Sequence, residues 1–97
     1  MAEPNLVGSM TPLPTPVSSV VFCEVEEGAV LLSTEQEIYF GLNGVGARIW
    51  ALLPPVHDSL EGLCVALAKD YPDVDAADLK ADVVELLGEL KQNGLVA

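Results

Sequence analysis

The residues able to do chemistry in this 97-residue chain are few: one histidine, two cysteines and fifteen carboxylates. Nucleophilic catalysis needs a positioned base. His57 is the sole imidazole, and it follows the Pro54-Pro55 break in what reads as a solvated linker. With Asp58 and Glu61 it makes one imidazole and two neighbouring acids, short of the three or four convergent ligands of a zinc site. Cys23 and Cys64 lie far apart without Cys-x-x-Cys spacing and read as two buried free thiols. Asp58, Asp75, Asp78 and Asp82 fall where helix caps and solvated helix faces want acids, and none is bracketed by the apolar residues that would raise a pKa. Gly41, Gly44 and Gly46 surround a strand-to-helix junction, but no βαβ unit and no P-loop lysine accompany them. The expectation is a protein that is not an enzyme, with no catalytic residue, no metal and no cofactor.

Charge and length narrow the choice further. Fifteen acids against four bases leave a net charge of −11, which repels a phosphate backbone and an anionic membrane surface alike. Neither nucleic acid nor membrane is an expected partner. The chain is long enough for one domain, and with 51% hydrophobic but only 5% aromatic residues its core must be mainly aliphatic. No apolar run approaches the length needed to span a bilayer, and the N-terminus lacks the pattern of a signal peptide. The expected location is cytoplasmic.

These residues must be positioned by short elements. Residues 1–19 hold four of the seven prolines and show no periodicity, which predicts a flexible tail ahead of a domain at 20–97. Val20 to Val25, Ala29 to Leu32 and Glu37 to Leu42 read as three strands separated by short polar breaks, and connections so short favour an antiparallel meander. After Asn43, a good N-cap, the period becomes helical, with Val45, Ile49, Leu52 and Leu53 on one face and Pro54-Pro55 as the stop. A second helix opens at Asp58-x-x-Glu61, read as a capping box, and lines up Leu60, Leu63, Cys64, Leu67 and Tyr71. A third begins at Asp75, places Leu79, Val83, Leu86, Leu87 and Leu90 at core spacing, and closes at Asn93-Gly94. The predicted fold class is α+β, winged helix-turn-helix-like: a three-stranded antiparallel sheet followed by three helices. Winged helices often bind DNA, but here Lys69, Lys80 and Lys91 are outnumbered by neighbouring acids.

A three-stranded meander leaves its third strand with one neighbour, and an open strand edge is a template for an extended peptide. At Tyr39-Phe40-Gly41-Leu42-Asn43, followed by Gly46 and Ile49-Trp50-x-Leu52-Leu53, the sequence resembles the PqqD-like family, the RiPP precursor peptide recognition elements. Glu26-Glu27-Gly28-Ala29-Val30-Leu31-Leu32 continues the likeness upstream, and the helix spacing to Gly94-Leu95 continues it downstream. The resemblance implies a module that binds the leader of a ribosomally made precursor as a strand added to the third strand, against the third helix. It implies a pairing edge at Glu37, Ile38, Tyr39, Phe40 and Gly41, and a groove wall at Lys80, Val83, Val84 and Leu87. A free-standing member of this kind is most similar to the leader-binding protein of lasso-peptide pathways, which implies a leader peptidase and a cyclase as further partners and a groove of aliphatic lining and low charge. The alternatives are a chaperone of the pyrroloquinoline quinone type, or for another such precursor, and, in a different class, a winged-helix DNA-binding protein.

Overall fold

A computed structural model describes residues 11–97. The chain runs β1 (Val20–Val25), β2 (Gly28–Ser33), β3 (Ile38–Asn43), α1 (Gly44–Ala51), α2 (Leu60–Asp70) and α3 (Ala76–Gln92). The sheet is antiparallel in the order β1-β2-β3, with Leu31 opposite both Phe22 and Phe40. Alternation decides its faces. Ala29, Leu31 and Leu42 are buried toward the helices, while Val21, Val25 and Tyr39 are exposed on the opposite side. The helices close the core with Ile49, Leu52, Leu53, Leu63, Leu67, Leu79, Val83 and Leu90, all aliphatic.

Two turns depend on glycine. Gly28 enters β2 at φ +155°, and a Cβ there would stand 2.0 Å from the Leu42 carbonyl oxygen, so the two strands approach only because it has no side chain. Gly94 sits at φ +73° after α3. There Gly94 N–H donates to the Lys91 carbonyl and Leu95 N–H to the Leu90 carbonyl, the paired bonds of a Schellman cap, and Leu95 is fully buried behind it.

The helix starts differ in one place from the sequence reading. Asn43 caps α1 by accepting from Gly46 N–H, and Asp75 caps α3 by accepting from Ala77 N–H. The α2 cap is Ser59, which accepts from Gly62 N–H, rather than Asp58. Glu61 is thereby released from a capping box and takes another partner: its carboxylate accepts from the Thr11 N–H at 2.8 Å and the Thr11 hydroxyl at 3.1 Å. These bonds hold the Glu61 pKa below the ordinary carboxylate value, the Thr11 N–H contributing most.

That contact belongs to a wider departure. Residues 11–19, expected within a mobile tail, lie against the domain as an extended segment. Leu13 is buried and donates its N–H to the Asp58 carbonyl, Thr15 exchanges backbone bonds with Ala97, and Val17 N–H donates to the Leu95 carbonyl. Proline-rich chain without periodicity can be ordered at small cost when its free N–H and C=O groups find partners, because proline has already surrendered much of its backbone freedom. Residues 1–10 of the expected tail lie outside the described residues. The cysteines are both free, but Cys23 is exposed on β1 rather than buried, while partial burial raises the Cys64 thiol pKa. Among the described residues no helix is long and apolar enough to cross a membrane.

Candidate functional site: the open edge of β3 and its groove

Hydrogen-bond parity identifies which peptide groups β3 leaves free. Thr34 N–H donates to the Ser19 carbonyl, one step beyond the Val20–Ser33 pair of the β1–β2 register. Bonded and non-bonded pairs alternate in an antiparallel ladder, so the even residues of β2 turn their peptide groups to β1 and the odd ones turn theirs to β3. Ala29, Leu31 and Ser33 face Leu42, Phe40 and Ile38. The N–H and C=O groups of Tyr39 and Gly41 therefore point away from the sheet, at an edge that no other strand among the described residues occupies.

Beside that edge a groove of about 330 Å³ separates β3 from α3. Phe40, Leu42, Val45, Gly46 and Ile49 form its floor, and Asp82, Glu85, Leu86 and Glu89 form the α3 wall. The side chains of Phe40 and Leu42 reach it because they lie on the helix-facing side of β3, and Gly46 is buried so close to them that a Cβ there would stand only 3.2 Å from Leu42 Cδ2. One end is tied: Gln36, in the β2–β3 turn, donates through Nε2 to the Asn93 carbonyl at the α3 C-cap. The hairpin and α3 are thus held side by side without filling the space between them.

Of the nine residues expected to contact a peptide, the structure brings Phe40 and Gly41 to this groove. Tyr39 sits at the open edge with its side chain on the exposed sheet face, Ile38 is half-buried in the first pair of β3, and Glu37 precedes the strand in the left-handed region at φ +59°. The expected α3 set does not line the groove. Val83 is fully buried core, and Leu87 is half-buried against the core. Lys80 lies close enough to Glu61 and Cys64 to bias both titrations, which places it on the α2 side. Val84, 51% exposed, shares the Lys80 flank by helical spacing. At 100° per residue the wall residues Asp82, Glu85 and Glu89 lie on the other side of the core stripe. The expectation of low groove charge is corrected by the same three carboxylates.

The sequence could not have named Leu86 as the wall's apolar member, because it carries the same helical spacing as the core. Phe22, Glu24, Tyr71 and Arg48 border a second hollow beyond β1, where Arg48 is already paired with Asp70. Among the described residues no group of three or more histidine, cysteine or acidic side chains is arranged to hold a metal.

The family model for coenzyme PQQ synthesis protein D (PqqD) matches residues 28–96, from the start of β2 to the residue behind the α3 cap. The chain belongs to the PqqD family. Two solved structures share this PqqD fold along most of their length. The chain is similar to TbiB1 in complex with the TbiA(beta) leader peptide, with a TM-score of 0.74 and 30% identity over 84% of this chain and 93% of that one. It is also similar to lasso peptide synthetase B1 complexed with the leader peptide, with a TM-score of 0.72 and 27% identity over 84% of this chain and 94% of that one. No curated protein sequence matches it.

Proposed function

We propose that this PqqD-family domain binds the leader segment of a ribosomally synthesised precursor peptide as a fourth strand on β3, and presents it to the enzymes that process it. The observation that carries the reading is the pairing of a β3 edge, unoccupied among the described residues, with a groove along α3, in a fold shared with two solved complexes with leader peptides. Main-chain bonds to Tyr39 and Gly41 would supply affinity, and alternate side chains of the added strand would enter the groove over Phe40, Leu42 and Leu86. This assigns the α3 contact to Asp82, Glu85, Leu86 and Glu89 in place of Lys80, Val83, Val84 and Leu87. The domain acts as a recognition module without chemistry of its own.

The lasso-peptide class is the preferred pathway, because one solved relative is a lasso peptide synthetase B1 and the other, TbiB1, is likewise in complex with a leader peptide, each match covering 84% of this chain. A leader peptidase and a cyclase in the cytoplasm are then the recipients. The family model's own description keeps a pyrroloquinoline quinone chaperone as the second reading. The test is titration of the labelled domain with synthetic leaders of precursor genes lying beside its own, followed by backbone amide shifts. Saturable shifts over residues 38–43 and 82–89 are expected, and the leader that binds names the pathway. Absence of shifts there with every such leader, in a folded domain, overturns the reading.

A further inference from the structure

The α3 helix sorts its charges by flank. Asp78, Asp82, Glu85 and Glu89 follow one another at i, i+4, i+7 and i+11, a continuous stripe about 16 Å long at 1.5 Å per residue. Lys80 and Lys91 lie on the opposite flank by the same arithmetic. The last three acids of the stripe line the groove, and none of its lining residues is basic. Like charges spaced three and four apart on a helix destabilise it. The lysines that could have been interleaved stand elsewhere, and Arg48 is committed to Asp70.

Resting on the leader-binding reading above, we infer that the occupant of this groove is a cationic strand: a leader carrying lysine or arginine at alternate positions on its helix-facing side, selected by the Asp82, Glu85 and Glu89 carboxylates. The dimensions suit this. Asp82 to Glu89 spans about 10 Å of helix, and side chains two apart on a strand recur about every 6.7 Å, so two consecutive helix-facing residues fall within reach of the stripe. A lysine or arginine there lays its methylenes over Leu86 and the Phe40–Leu42 floor and carries its charge out to the wall. Glutamate at those positions would face three acids in a shared groove and be rejected, which gives a non-enzymatic module discrimination among leaders of similar apolar pattern. The net charge of −11 adds long-range attraction for such a peptide, so association should be fastest at low salt.

The experiment uses the full chain and calorimetric titration with the synthetic leader of the neighbouring precursor gene, together with two otherwise identical versions in which its helix-facing lysines and arginines are replaced by alanine or by glutamate. The protein is compared with a triple variant, Asp82→Asn, Glu85→Gln and Glu89→Gln, which keeps side-chain size and removes charge. Expected results are about a tenfold weaker interaction for the triple variant or the alanine leader at 50 mM salt, a larger loss for the glutamate leader, and a salt dependence that flattens in the triple variant. A Lys-bearing reciprocal pair, Glu85→Lys and Glu89→Lys with the glutamate leader, should recover binding. If the native leader gives the amide shifts of strand addition but its affinity is indifferent to salt and to the triple variant, or it has no helix-facing cation, the cationic specificity is overturned while leader binding stands. If no leader produces shifts at β3, both fall together.

Discussion

Proline at Gly41 separates strand addition from every reading in which β3 is merely part of the scaffold. The Gly41 N–H points away from β2, so its removal leaves the β2–β3 ladder whole, and proline is tolerated on an edge strand in that orientation. A Cβ at Gly41 meets nothing within 4 Å. The variant should therefore fold, with a stability change within about 1 kcal/mol. An added strand fares worse. It loses one main-chain hydrogen bond, about 0.5–1.5 kcal/mol net, and its facing carbonyl is desolvated against the proline ring without a donor, about 1–3 kcal/mol. Together these amount to roughly 2–4 kcal/mol, or a rise in leader Kd of about 30-fold to several hundred-fold. The assay is calorimetric titration of the leader into Gly41→Pro, with Gly41→Ala as a control expected to bind normally. Phe40→Pro supplies the opposite contrast, since its N–H faces β2 and its loss should cost the fold. A folded Gly41→Pro variant that binds the leader with unchanged Kd would refute pairing at this edge and the parity argument with it.

Other consequences concern the wall, the turns and the N-terminal segment. Leu86→Asp should weaken leader binding at least tenfold, whereas Val84→Asp, on the opposite flank, should leave it unchanged by the same titration. Gly28→Ala should destabilise the domain by more than about 1 kcal/mol in urea unfolding, since its Cβ would lie against the Leu42 carbonyl oxygen. Glu37→Gly should stabilise it by up to about 1 kcal/mol by relieving a left-handed residue at the end of the β2–β3 turn. The Glu61 carboxylate, its pKa lowered by Thr11, holds the N-terminal segment above the ordinary glutamate value of about 4.3. That contribution should fade as pH falls through the lower folded value, loosening Thr11 and Leu13 in amide exchange before the helices respond.

Much of this architecture is local and was legible in the chain. Alternation at Ile38, Phe40 and Leu42, the cap at Asn43, the 79–83–90 spacing and the Asn93-Gly94 stop each follow from one or two turns of backbone chemistry, and the structure has them where the residues imply. The α2 cap was not legible, because Asp58 and Ser59 are adjacent residues equally able to cap. The choice of Ser59 goes with a contact to residue 11, about fifty positions away, which takes up Glu61. The docking of residues 11–17 was invisible for the same reason: their partners, Asp58, Leu95 and Ala97, are distant in sequence.

By itself the sequence determined an acidic, aliphatic domain of three strands and three helices whose third strand has a neighbour on one side only. It also determined a charge-sorted third helix, since the spacing of Asp82, Glu85 and Glu89 and of Lys80 and Lys91 is plain in the residue order. Only the tertiary structure decided which flank of that helix faces β3. A helical period states which residues share a face; the rotation of the helix about its axis is set by how Leu79, Val83 and Leu90 seat against the remaining core, and roughly half a turn would exchange a basic and apolar wall for an acidic one.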